Sequence, residues 1–119
     1  MSKFVKKNLE KPDETRSFPK GKVEVILFDG GSIAKATFQP GWRWTEVMPP
    51  IVKTDTCQAT HNHVILSGTM HVRMNDGTET EFGPGDAGLV QPGHDAWVVG
   101  NEPVVMLDFN GMTHYAEQK

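Results

Sequence analysis

His61 and His63 stand one residue apart in "THNHVILSG", and side chains at i and i+2 of a strand leave it on the same face. Two imidazoles projecting together, with Ile65 beyond them, suit a divalent metal, because buried imidazole needs a partner and an ion supplies one. Zinc, iron, manganese, nickel and copper all accept histidine nitrogen, so the pair does not choose among them. Three other positions offer help. His94, after "QPG", sits in a turn, and is either an exposed turn histidine or, at a barrel mouth, a group that reaches such a site from the rim. Cys57, four residues before His61, either completes a soft ligand set as a thiolate or packs as a small apolar side chain. Glu46 is either a carboxylate ligand, a general acid or base beside an aromatic wall, or a charge on an edge strand. The pair Trp42 and Trp44 reads as core, with Trp44 also a candidate pocket wall. His71 alternates with Met70, Val72 and Met74, which places it on the outer face with Arg73. His114 falls in the C-terminal tail and reads as exposed. No Ser-His-Asp order, phosphate-cradling glycine loop or dinucleotide fingerprint is present, and "GPGD" leads into a strand rather than a helix.

These residues depend on strands to hold them. After "KPDE" and "FPKG" turns in residues 1–20, which read as an irregular arm, short β-rich runs alternate with turn signals. "VEVILF" (23–28) is closed by "DGG". "SIAKATFQ" (32–39) puts Ala34, Ala36 and Phe38 on one face. "WRWTEVM" (42–48) reads as a strand that Pro49 and Pro50 end, with Trp42, Trp44 and Glu46 sharing a face. Residues 51–59 read as a loop. "HNHVIL" (61–66) and "TMHVRM" (69–74) are strands. Asn75-Asp76-Gly77 marks a hairpin, returning as "TETEF" (78–82). "AGLVQ" (87–91), "AWVV" (96–99) and "VVMLDF" (104–109) complete the series. No amphipathic helix of ten residues and no internal repeat is present, so an all-β sandwich or barrel is expected.

Composition narrows the partners. The chain has 119 residues, one domain's worth, and a net charge of −3 from 12 basic and 15 acidic side chains. Seven of the basic residues fall within the first 22 positions, diluted by Glu10, Asp13 and Glu14, and read as a solvated arm. The acidic remainder argues against nucleic acid as a partner. No apolar run approaches the about 18 residues of a membrane span, and no apolar segment follows the first lysines as in a signal peptide. Cys57 is the single cysteine. An intrachain disulfide is impossible, and a cytoplasmic location is expected.

Segment 40–109 resembles a cupin. The family's first motif runs Gly, five residues, His-x-His, three or four residues, Glu, six residues, Gly. Its second runs Gly, five residues, Pro-x-Gly, two residues, His, three residues, Asn. "HVILSGTMHVRMNDGTETEFGPGDAGLVQPGHDAWVVGNEP" has the cadence of both. Gly68 matches the glycine closing the first motif, which puts His61 in the place of the family's glutamate. Gly85 and Gly93 keep the second motif's spacing, with Pro92 one place late. The ligands themselves depart from the pattern. Counted from Gly41, the family's two histidines fall at Val47 and Pro49, its second-motif histidine falls at Ala96, and 50–60 looks like an insertion. "GWRW", "SGTMHVRM" and "PGHDAWVVG" are similar to small bacterial single-domain cupins of largely unassigned function.

The resemblance implies an all-β fold of two antiparallel sheets, a cupin-type double-stranded β-helix or jelly-roll barrel. The domain would span 21–119, with 1–20 as its arm. It also implies a homodimer formed through sheet edges and N-terminal strands. The expected function is a divalent transition metal (Fe, Mn, Ni, Zn or Cu) held by His61, His63 and His94. Glu46, Cys57 or Trp44 would complete the ligand set or pocket, and a small molecule would be the ligand or substrate. Any chemistry would be metal-dependent, with an oxidoreductase of dioxygenase type ahead of isomerase or hydrolase. The alternative is a non-catalytic module that binds or senses a small ligand around a degraded metal site.

Overall fold

The computed structural model describes residues 4–113. In chain order the elements are β1 (Glu14–Phe18), β2 (Gly21–Phe28), β3 (Gly31–Phe38), α1 (Trp44–Val47), α2 (Pro49–Val52), β4 (His61–Ser67), β5 (Met70–Met74), β6 (Glu79–Phe82), β7 (Ala87–Val90), β8 (His94–Val98) and β9 (Val104–Phe109). They form two antiparallel sheets. One has six strands in the order β1-β2-β3-β9-β4-β7, and the other has three in the order β6-β5-β8.

Alternation along each strand builds the space between the sheets. Val23 and Val25 of β2, Ala34, Ala36 and Phe38 of β3, and Val104 and Met106 of β9 are buried. Met70 and Val72 of β5 and Ala96 and Val98 of β8 face them from the smaller sheet. On β4 the pattern sends His61, His63 and Ile65 inward and leaves Asn62 and Leu66 exposed. Near its end β4 shifts register against β9 between Ile65 and Ser67, a bulge that bends the strand before the chain changes sheets. Gly68 makes that change at φ +78, and a Cβ there would lie 2.3 Å from the Pro103 carbonyl oxygen, so no other residue fits the crossing.

Three expectations from sequence are corrected. Within 1–20, residues Glu14–Phe18 are not irregular but pair with β2 as an edge strand. Residues 42–48 are not a strand: Arg43 stays extended and bridges Trp97, after which the chain coils into α1 and α2. The buried carboxylate of Asp95 directs this turn. It accepts hydrogen bonds from Arg43 Nε at 2.8 Å, Thr45 Oγ1 at 3.0 Å and the Thr45 amide at 3.1 Å. That last bond satisfies one of the amides a helix start leaves without an intrahelical partner. Pro49 and Pro50 open α2, where a missing N–H costs nothing, so they begin a helical turn rather than merely ending a strand. Finally, His94 lies in β8 and not in a turn.

Candidate metal centre

Cys57 is placed by its backbone. Its amide donates to the His94 carbonyl at 2.9 Å, and its own carbonyl accepts from Gly93 at 2.7 Å. This isolated bridge holds the loop before β4 against the start of β8, and the Cys57 side chain is buried. His61, at the start of β4, is fixed from behind. Its Nδ1 donates to Asp108 Oδ2 at 2.6 Å, which leaves Nε2 toward Cys57 Sγ at 3.5 Å. Asp108 is fully buried on β9, and its other oxygen accepts from the Gly111 amide at 3.0 Å. His94 is fixed in the same manner, with Nδ1 donating to the Gln91 carbonyl at 2.7 Å, which leaves Nε2 as its ligating nitrogen. The His61 and His94 rings meet edge to face with centroids 5.2 Å apart.

One ligating atom from each of Cys57, His61 and His94 lies within 4.8 Å of the others, and all three residues are buried. Ordinary bond lengths to a tetrahedral zinc ion put a cysteine sulfur and a histidine nitrogen about 3.6 Å apart, close to the 3.5 Å between Cys57 and His61. Each imidazole has its second nitrogen tied to a carboxylate or a carbonyl, the usual outer partner of a metal-bound histidine. Sulfur with two imidazole nitrogens is a soft to borderline donor set that suits a late transition ion. Three protein ligands leave a coordination position open, as in catalytic rather than structural zinc sites.

The electrostatics agree. Burial pushes the Cys57 thiol up, but hydrogen bonds from His61 and His94, and the charge on those rings, outweigh it and bring its pKa down to about 6. Burial pushes His61 down, but the hydrogen bond to Asp108 and the contact with Cys57 raise it to about 9. At neutral pH the metal-free cluster is therefore a thiolate beside an imidazolium. Cysteine already has the ionisation state a metal requires, and His61 must give up its Nε2 proton on binding.

The remaining candidates separate. His63 stands apart from the cluster and lines the same internal cavity, with neither ring nitrogen hydrogen-bonded. Burial first, and then the charge on His61, hold it below the ordinary histidine range. Trp44 is buried and also lines the cavity. Glu46 is exposed on α1 and does not line the cavity, because the helical turn takes it off the face of Trp44. His71 projects from the outer side of the smaller sheet, between Glu79 and Glu81, and stacks on Trp97 at 4.5 Å. His114 lies outside the described residues.

Sequence reasoning passed over Asp108 and Gly111. Asp108 carried a signal, since the alternation of "VVMLDF" puts it on the inward face with Val104 and Met106. Gly111 carried none in sequence: a Cβ there would lie 2.6 Å from Asp108 Oδ1 and 2.9 Å from His61 Nδ1, so its bareness lets that pair close.

No protein-family model matches the chain, and no curated protein matches it in sequence. Solved structures do. The fold is of the cupin type, two antiparallel sheets consistent with a jelly-roll barrel. A protein of unknown function from Rhizobium leguminosarum superposes with a TM-score of 0.66 at 18% identity, over 91% of this chain and 96% of that one. The S161A mutant of Bacillus subtilis oxalate decarboxylase superposes with a TM-score of 0.59 at 24% identity, over 83% of this chain and 28% of that one. KdgF from a Halomonas species gives 0.59 at 14% identity, over 82% and 87%. At these identities the likeness establishes the fold and no more.

Proposed function

We propose that this protein is a small metal-dependent enzyme of cupin fold. Cys57, His61 and His94 hold a divalent transition ion at the wall of the internal cavity, where a small molecule reacts. One observation carries the reading: three buried ligating atoms converge within 4.8 Å. The bound ion would polarise an oxygen of the small molecule, or exchange electrons with it if redox-active. The chain's own residues do the rest. Asp108 and the Gln91 carbonyl orient the two imidazoles, and the apolar wall keeps bulk water away from them. Oxidoreductase chemistry is the form we favour, since three protein ligands leave room for an oxygen-bearing substrate. A fold neighbour named for decarboxylation of oxalate supports catalysis on small molecules by this architecture. A non-catalytic module with a degraded site has less support, because the three ligands form a complete set.

The test is metal content by mass spectrometry on protein prepared without a histidine tag. About one equivalent of a transition metal is expected, falling sharply in Cys57→Ser, His61→Ala and His94→Ala. Sub-stoichiometric metal that none of the three changes would sink the reading.

We also propose a homodimer of one-domain subunits in a reducing, cytoplasmic setting, which suits a lone buried thiol. The outer face of the six-stranded sheet supports the dimer. Ile33, Val64, Leu66, Leu89, Val105, Leu107 and Phe109 alternate with the buried residues of β3, β4, β7 and β9, and Leu66, Leu89 and Phe109 are exposed. Light scattering should give twice the chain mass for wild type and the chain mass for Leu107→Glu; a monomeric wild type removes the dimer.

A further inference from the structure

Cys57, His61 and His94 offer one sulfur and two imidazole nitrogens, and among the described residues no carboxylate joins the cluster. Asp108, the acid behind His61, has one oxygen bonded to His61 Nδ1 at 2.6 Å and the other to the Gly111 amide at 3.0 Å. The 3.5 Å between Cys57 Sγ and His61 Nε2 does not choose between zinc and copper. The surroundings do.

Zinc with three protein ligands keeps a water in its fourth position. A buried water typically makes about three hydrogen bonds to polar groups. His61 and His94 line the internal cavity and Cys57 does not, so the side of the cluster away from the sulfur faces that cavity. The wall it meets there is almost wholly apolar, built from Trp42, Trp44, Met70, Val72, Met106 and Met112. The Trp42, Trp44 and His63 ring nitrogens are buried within the wall and open no polar face onto the cavity. A metal-bound water would find too few partners. Copper has no such need. Two imidazoles and one thiolate, with at most a weak thioether beyond them, are a complete set for copper that transfers electrons. Thioether is what this wall supplies, since three of the chain's six methionines line it. Such sulfur favours copper(I) over harder ions. The ligand positions are also fixed in advance. Asp108 and the Gln91 carbonyl hold the two rings, and backbone bonds to Gly93 and His94 hold Cys57. Outer partners of this kind tune the metal, here by keeping one set of ligand positions for both oxidation states.

Resting on the metal reading above, and taking its electron-exchanging branch, we infer that the ion is copper and that the centre passes single electrons. Copper(II) bound through Cys57 takes one electron from an outside one-electron donor and becomes copper(I). A one-electron acceptor takes that electron away again. No bond to the three ligands breaks and no proton moves.

Spectra of the wild-type protein decide the matter without any variant. Metal-free protein is loaded with copper(I) in the absence of air, oxidised with ferricyanide and reduced again with ascorbate. Copper(II) on a thiolate in such a set absorbs visible light intensely, by charge transfer from sulfur. The band should appear on oxidation, vanish on reduction and return over repeated cycles, at about one copper per chain. Cys57→Ser should abolish it. The same change should weaken copper(I), read by competition with a chromogenic chelator, by at least the about tenfold that loss of an outer partner alone costs. Glu46→Gln, on the exposed side of α1, should keep both the band and the affinity. Zinc uptake is read separately by mass spectrometry. Bound zinc that an equal concentration of copper(I) fails to displace overturns the copper assignment and leaves the metal site standing, as does copper taken up without the intense band. A band that is lost for good after the first oxidation overturns the electron-passing role, because the thiolate has then been consumed. Uptake of neither ion overturns both this inference and the metal site.

Discussion

Asp108 is the residue on which the candidate centre turns, although it is not itself in the set of ligands. It is fully buried, and its short bond to His61 Nδ1 sets the tautomer and direction of that ring. Asp108→Asn keeps the shape but removes the charge. We expect a loss of about 1.5–3 kcal/mol in the metal-free protein, the usual worth of a hydrogen bond to a charged group, read by urea unfolding. Metal affinity should fall by about 10–100-fold, the usual cost of losing such an outer partner, read by competition with a chelator. Unchanged affinity would mean that His61 is held by something else. The alternation of "VVMLDF" carried a signal, passed over in the sequence, that a charge sits on the inward face of β9. It did not show the partner, because β9 meets β4 only through sheet order, and 47 positions separate the two residues. A second residue gives a pH prediction away from the centre. His71 is held above its ordinary pKa, first by its hydrogen bond to Glu81 and then by Glu79. A histidine raised in the folded state adds stability that is fully present below its unfolded value near 6.5 and is lost as pH rises through the folded value. Proton spectra of the His71 ring should show the raised midpoint in wild type and a lower one in Glu81→Gln. An identical midpoint in both would rule out Glu81 as its cause.

Between single residues and the whole fold, the turns decide which strands the histidines occupy. Two glycines with similar backbone angles make contrasting predictions. Gly77, at φ +92 in the Asn-Asp-Gly turn, has open space where a Cβ would go, whereas Gly68, at φ +78, has the Pro103 backbone in that space. Gly77→Ala should cost about 1 kcal/mol for the left-handed conformation alone. Gly68→Ala must also push two chain segments apart where β4 leaves one sheet for the other, so its urea midpoint should fall well below that of Gly77→Ala. Equal midpoints would show that the crossing yields easily. The hairpin turn was legible because its chemistry is local. The helical turns at 44–52 were not. Trp42, Trp44 and Glu46 alternate as a strand would, but Asp95, fifty positions along from Thr45, captures the Thr45 amide and coils the chain. The same capture removes Glu46 from the cavity face while leaving Trp44 on it.

At the scale of the molecule, the three proposed ligands come from three separate parts of the structure. His61 belongs to the six-stranded sheet, His94 to the three-stranded sheet, and Cys57 to the loop that bridges onto β8. The sheets themselves were legible, because two-residue alternation and turn residues repeat along the chain and each strand's inward face can be counted. The ligand set was only half legible for the same reason. Counting along one strand puts His61 and His63 together, but it cannot place the candidates Cys57 and His94, which approach from the opposite layer, beside His61. His63 therefore reads as a ligand in sequence and as a cavity wall in the structure. A metal held in this way would tie the two sheets to each other, so its removal should be felt in global stability. Binding to the folded state alone adds RT ln(1 + [L]/Kd), about 2.7 kcal/mol when free metal is one hundred times Kd. Wild-type protein with zinc at that excess should unfold at correspondingly higher urea than after chelation. Cys57→Ser and His94→Ala should lose most of that difference, while Glu46→Gln retains all of it. If His94→Ala keeps the full zinc effect, the ion does not bridge the sheets, and the centre must be sought on β4 and its loop alone.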